Sequence, residues 1–322
     1  SIAIAGGIKT AAGGGGYGQL QLLLNENYGL YEGSIMSTVG IAIIPLILWY
    51  RRHGTIFPPH WRVSLFCFAL CFACMLLPVG TQARTGLVCL AVLAVLSLRA
   101  VKHRFLYVAG AGLLALAAIP FLPQSYTERM ETIRDHKSDQ SASTRVAVWM
   151  WTWEYAKDNP FGGGFEAYIQ NSVRVEKAAG AYDPNAPQND EATVYEEHSR
   201  AYHSSYFEML GEQGYPGLAL WLFLHAVGLV QMERLRRRYL KTRRAEEQWI
   251  APLATALQHG HVTYMVGSLF VGIAFQPFIY MMLALEMGLS TYCRRREQEA
   301  GWRPLTARPA QVPARHPTPT AS

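Results

Sequence analysis

Charge is the scarcest commodity in this 322-residue chain: 16% of residues are charged while 50% are apolar, against roughly 25% charged in an ordinary soluble protein. Such a shortage excludes a disordered chain and a nucleic-acid-coating protein, so no nucleic acid partner is expected. Cysteine is scarce too. Its five copies, Cys67, Cys71, Cys74, Cys89 and Cys293, all fall in apolar runs, which excludes a disulfide framework. Cys67, Cys71 and Cys74 share one helical face with no histidine or carboxylate beside them, and read as small packing residues. No initiator methionine precedes Ser1, and Ser1 to Ile8 resembles the end of an apolar segment, so further spans are expected ahead of it.

What charge exists is unevenly placed. Residues 123–214 hold 8 Lys/Arg and 15 Asp/Glu, and the remaining 230 residues hold 21 and 8, so a net +6 divides into −7 and +13. Positive excess in a charge-poor chain points to membrane topology. A helix crosses about 30 Å of hydrocarbon with about 20 apolar residues, and seven segments qualify: 34–50, 63–81, 86–101, 105–122, 206–232, 250–275 and 278–293. Basic clusters follow alternate spans at Arg51-Arg52, Arg99 to Arg104, Arg234 to Arg244 and Arg294-Arg295-Arg296, which places those ends in the cytoplasm.

The predicted fold is therefore all-α, a polytopic membrane helical bundle that interacts with membrane lipids. Five regions follow: a glycine-rich external segment (1–33), four spans (34–122), a large, partly helical external loop (123–205), three spans (206–293) and a disordered cytoplasmic tail (294–322). Within the loop, Ser143 or Thr144 is a plausible cap for an amphipathic helix in which Val146, Trp149, Met150 and Trp153 recur at helical spacing, and whose aromatics suit the membrane interface. Asn159-Pro160-Phe161-Gly162-Gly163-Gly164 stops that helix in a tight turn. From Ala178 to Glu197 the chain reads as a mobile polar loop.

Polar chemistry concentrates at the outer surface, in Glu196 to Glu208, immediately before the span that carries Gly211, Gly214, Pro216 and Gly217. His203 stands there at a helix start. Arg84 occupies an outer turn, against the positive-inside bias, and Arg145 opens the loop helix, on the end where the helix dipole disfavours a cation. By contrast Glu286 is almost the only charge deep in a span and reads as lying near its cytoplasmic end, so transport is the less favoured class.

Three blocks resemble the O-antigen ligase superfamily: Thr81 to Gly86; Arg145…Trp149…Asn159-Pro160…Gly162-Gly163-Gly164…Tyr168; and His203-Ser204-Ser205-Tyr206-Phe207-Glu208…Gly211-Glu212…Gly214-Tyr215-Pro216-Gly217. This superfamily comprises bacterial lipopolysaccharide O-antigen ligases, O-antigen polymerases and protein O-oligosaccharyltransferases, and the likeness leans towards the ligases. Where many members have His-Asn, this chain has His203-Ser204.

The resemblance implies a GT-C-like glycosyltransferase in the inner membrane of a Gram-negative bacterium, with its site facing the periplasm. It further implies transfer of a glycan from undecaprenyl pyrophosphate to a hydroxyl of lipid A-core, with inversion. On that reading His203 is the general base, with His198 as competitor. Arg84 and Arg145 bind the pyrophosphate, and Arg200, Tyr202 and His198 line the substrate site. Arginine suits the donor because its planar fork grips phosphate bidentately. No cofactor is implied, and the loop has no Asp-x-Asp pair to hold a divalent cation, so metal independence is expected.

Overall fold

The computed structural model describes residues 2–11, 32–54, 56–81, 83–99, 140–177 and 193–301. The predicted span at 105–122, the glycine run at 13–16 and the tail beyond 301 lie outside the described residues. Helices dominate: α1 (Ile2–Ala11), α2 (Gly33–Ala42), α3 (Ile44–His53), α4 (Trp61–Thr81), α5 (Arg84–Leu98), α6 (Gln140–Asp158), α7 (Ser205–Tyr239), α8 (Ile250–Gly267) and α9 (Pro277–Gly301). Three stretches are long and apolar enough to cross a membrane, namely Gly33–His53 (α2 and α3 in succession), Trp61–Thr81 and Ser205–Tyr239, and α5 is a shorter apolar helix.

Helix α4 shows how such a helix sorts its faces. Cys67, Cys71, Cys74 and Leu77 turn inward and are buried, whereas Leu65, Phe66, Phe68 and Phe72 are exposed. Both faces are apolar because the outer one meets lipid, and small inward residues let backbones approach closely. All five cysteines are buried and free, as packing residues should be. Further along, α8 packs against α7 and α2, and Ala254, Leu257 and Tyr264 of α8 join Met232, Ile279 and Met282 in the main core.

The structure corrects the sequence reading in several places. Helix α6 is described over Gln140–Asp158, so Ser143, Thr144 and Arg145 lie inside it and neither Ser143 nor Thr144 is its cap. Its packed face is Val148, Thr152 and Ala156, all buried, while Val146, Met150 and Trp153 are exposed. These three form the outward apolar face that an interfacial helix needs. Part of the stretch read as a mobile polar loop is a strand: β2 (Thr193–His198) pairs antiparallel with β1 (Ser172–Lys177), with Ser172 opposite His198. The span read as 250–275 stops at Gly267, and residues 268–276 run irregularly before Pro277 starts α9.

Glu286 does not sit near a span end. It is nine residues into α9, about 13 Å along it at 1.5 Å per residue, and is fully buried. Its Oε1 is 2.9 Å from Nδ1 of His261, whose Nε2 is 2.8 Å from Nδ1 of His225, so one hydrogen-bonded chain ties α9, α8 and α7 together in the bundle core. Gly228 permits this, since a Cβ there would collide with the Glu286 carboxylate.

Candidate active site at the His203 end of the bundle

A deliberate break in α7 builds the frame of the site. Gly214 has φ 66° and ψ −166°, a conformation essentially reserved for glycine, and Pro216 has no N–H to give. The carbonyls of Gly211 and Glu212 therefore lose their helical partners. The turn after α6 supplies replacements: Gly163 N–H donates to Gly211 O and Gly164 N–H to Glu212 O, each at 2.9 Å, and Tyr215 N–H donates to Pro160 O at 2.9 Å. Gly162, at φ 80°, lies so close to Glu212 O that no side chain fits. The Asn159 to Gly164 turn and the Gly211 to Gly217 break are thus two halves of one joint, which fixes α6 against α7.

The segment between β2 and α7 is pinned from both sides. Asn171, almost fully buried, accepts Arg200 N–H at 2.9 Å and donates to Arg200 O at 2.6 Å, pairing like a strand. Trp149 Nε1 donates to Tyr202 O at 2.8 Å, and its ring stacks on Phe207 at 5.0 Å between centroids. Tyr202 itself is buried with Val148 and Val173, its ring against Gly211. Held this way, His203 takes the left-handed region at φ 48°, uncommon for a side-chain-bearing residue and a mark of a constrained position.

Beneath His203, the start of α7 grips the irregular 268–276 segment. Ser205 N–H donates to Ser268 O at 2.8 Å, Ser205 Oγ donates to Val271 O and accepts from Ile273 N, and Glu208 accepts Ala274 N–H at 2.9 Å. These bonds satisfy backbone groups that no helix satisfies, a requirement that is absolute within lipid. The role of Ser205 and Glu208 is therefore structural.

Electrostatics tie the predicted residues together. Burial, and then the Arg145 and Arg200 guanidinium groups, push the His203 imidazole down to about 4, so at neutral pH it is an uncharged base. Arg145 also faces Glu32, just ahead of α2, whose carboxyl burial raises while Arg145 and the Ser34 hydroxyl pull it back. Arg84 opens α5 at the same end of the bundle. Two residues on, Gly86 packs against Pro78 and against Ser37 of α2, and Ser37 and Thr81 hydroxyls are 3.0 Å apart.

Of the predicted site residues, Arg145, His203 and Arg200 are therefore brought into electrostatic reach, with Arg84 on a neighbouring helix at that end. His198 stands apart, exposed at the end of β2. Arg200 is largely exposed and its guanidinium is paired with Glu197. Tyr202 is a buried packing residue, not an open contact. Sequence reading missed Glu32 and Asn171, which no local pattern marks. Among the described residues no group of three or more histidine, cysteine or carboxylate side chains could hold a metal.

Comparison with known families gives two matches. Residues 68–222 match the family described as O-antigen ligase, and residues 1–55 match a family of unknown function, DUF5935. The first match contains Arg84, Arg145, the glycine turn, His203 and the break in α7, and ends at residue 222, short of the rest of α7 and of the 268–276 segment. No curated protein matches the chain.

Proposed function

We propose, from the match of residues 68–222 to the family described as O-antigen ligase, that the chain is an inverting membrane glycosyltransferase. It moves a glycan from undecaprenyl pyrophosphate to a hydroxyl of lipid A-core at the His203 end of the bundle. On this reading that end faces the periplasm of a Gram-negative inner membrane and the arginine-rich end faces the cytoplasm, in keeping with the positive-inside bias. The observation that carries the proposal is His203: an imidazole held neutral by burial and by two arginines, in a fixed left-handed conformation, at a helix start.

His203 Nε2 or Nδ1 takes the proton of the acceptor hydroxyl as its oxygen attacks the anomeric carbon, and the bond to the pyrophosphate oxygen breaks on the opposite face. Arg145 and Arg84 hold the donor and stabilise the charge that grows on the leaving pyrophosphate, which in a dry, preorganised site supplies several kcal/mol. The arginine that keeps His203 deprotonated is then the one the leaving group neutralises. As charge leaves, the imidazole becomes a stronger base when it is needed. Pyrophosphate departs without a general acid, and Arg84 and Arg145 supply the positive charge a metal would otherwise bring, so the reaction as proposed runs without a metal.

A polymerase that joins repeat units, or a transferase that modifies protein hydroxyls, would use the same site. Glycan profiles separate them: loss of a ligase leaves uncapped core with polymer on its carrier, loss of a polymerase leaves single-repeat core, and loss of a protein transferase leaves lipopolysaccharide unchanged. Transport is less well supported, because Glu286 and His261 are sealed by helix packing instead of lining a passage.

A further inference from the structure

At the arginine-rich end of the bundle, opposite His203, a cavity of about 690 Å³ opens between α3, α4, α5, the segment after α7, and α8. Its size falls in the range of small-molecule sites. Arg51, Arg52 and His53, the last turn of α3, line it together with Thr242, Gln248 and His259, and among the described residues no carboxylate does. Several other cations at this end are paired with acids: Arg99, Arg236 and Arg237 with Glu233, Arg238 with Glu297 and Arg244 with Glu247. Arg51 and Arg52 make no ion pair among the described residues. The Arg51 guanidinium lies 4.6 Å over the Phe68 ring, and its Nε is buried with no hydrogen-bond partner.

The rest of the lining is apolar, with Ile44, Leu48, Phe68 and Leu93 forming one wall. Leu48 and Phe68 are also exposed on the surface of their helices, so the wall continues onto the lipid-facing side. A cationic floor without acids calls for an anion, and an apolar wall that opens sideways calls for a hydrocarbon chain attached to it. A soluble anion would use the first feature and waste the second. Basic pockets between membrane helices take anionic lipid head groups on these grounds.

We propose that this cavity is a binding site for an anionic phospholipid of the leaflet at the arginine-rich end, its phosphodiester on Arg51 and Arg52 and its upper acyl chain along Leu48 and Phe68. It is separate from the glycan-transfer site and does not depend on it. The bound lipid would complete the packing between α3 and α8, where Trp49 of α3 and Trp249, just ahead of α8, already meet through the Trp49 Nε1 bond to Trp249 O at 3.2 Å.

Native mass spectrometry of the purified full chain, delipidated and offered equal phosphatidylglycerol and phosphatidylcholine, tests this. Phosphatidylglycerol should be retained in preference. Arg51→Gln/Arg52→Gln should lower its relative affinity roughly 30-fold, taking two cations near a membrane surface at their usual worth. Thr255→Trp, which fills the cavity and leaves every charge in place, should lower it as well, whereas Arg294→Gln/Arg295→Gln, which removes the same charge outside the cavity, should not. Equal retention of both lipids, an equal loss in the Arg294/Arg295 pair, or full retention in Thr255→Trp would overturn the proposal. So would release of the phosphatidylglycerol by millimolar inorganic phosphate, which would assign the site to the anion alone.

Discussion

Replacing Gly214 with alanine tests whether the joint between the glycine turn and the broken α7 holds the site together. At φ 66° and ψ −166°, alanine carries a backbone penalty of about 1–3 kcal/mol. Its Cβ would also collide with Pro160 O, so the turn must withdraw and give up the Tyr215 bond to Pro160 and the Gly163 bond to Gly211. At about 1 kcal/mol net for each bond, the total reaches about 3–5 kcal/mol, or roughly 4–7 °C in melting temperature for a chain of this size. The five buried free cysteines provide the assay, since a thiol-reactive dye reports unfolding as they become accessible. Two controls bracket the result. Gly164→Ala meets open space but keeps a positive φ of 82°, so it should lose only the backbone term, and Gly288→Ala, in open space on α9, should lose nothing. Should Gly214→Ala melt with Gly288→Ala, the joint would not be what fixes α6 to α7.

Other outcomes follow from the same geometry. Because His203 acts as a neutral base with its proton affinity depressed to about 4, the acid limb of kcat/KM should fall near pH 4 and not near the ordinary histidine value of about 6.5. Arg145→Gln removes a cation that disfavours the imidazolium, so its acid limb should move upward in pH, and an unmoved limb would separate Arg145 from His203. Asn171→Ala strips both backbone partners from Arg200 and should cost about 1–3 kcal/mol by the dye assay while weakening transfer. Glu208→Gln, which keeps an acceptor for Ala274 N–H, should stay close to wild type in stability, whereas Glu208→Ala should not. Glu286→Ala should likewise destabilise the bundle by about 1–3 kcal/mol through the orphaned His261.

Much of this protein is legible in its residues because lipid imposes simple rules. Apolar length marks three of the expected spans and the shorter α5, and the Pro/Gly blocks mark both halves of the α6–α7 joint, though that the halves meet is a tertiary fact no single block carries. His203 and Arg145 could be picked out by their odd placement, a polar cluster before a span and a cation near a helix start. Glu32 gives no such sign, since a lone carboxylate before an apolar run looks like any interfacial residue until Arg145 is seen facing it. Asn171 is similar, acting through backbone pairing across 29 residues. The end of α8 at Gly267 was hidden because 268–276 is as apolar as the helix before it, and only Gly272 and Pro277 hinted that helix gives way to a segment clamped by Ser205 and Glu208. Tyr202 misled for the opposite reason: in a polar cluster it suggests contact with substrate, yet its ring is needed to fill the space over Gly211.

The central claim is that His203 is the base in glycan transfer, and reconstituted transfer measures it directly. Purified wild type and His203→Ala, matched in melting temperature, would be given an undecaprenyl-pyrophosphate glycan and lipid A-core, and product followed by gel shift. A general base contributes about 10²–10⁴-fold, so His203→Ala should lose transfer by that factor while still binding the donor, because Arg84 and Arg145 remain. Transfer at the wild-type rate would contradict the account.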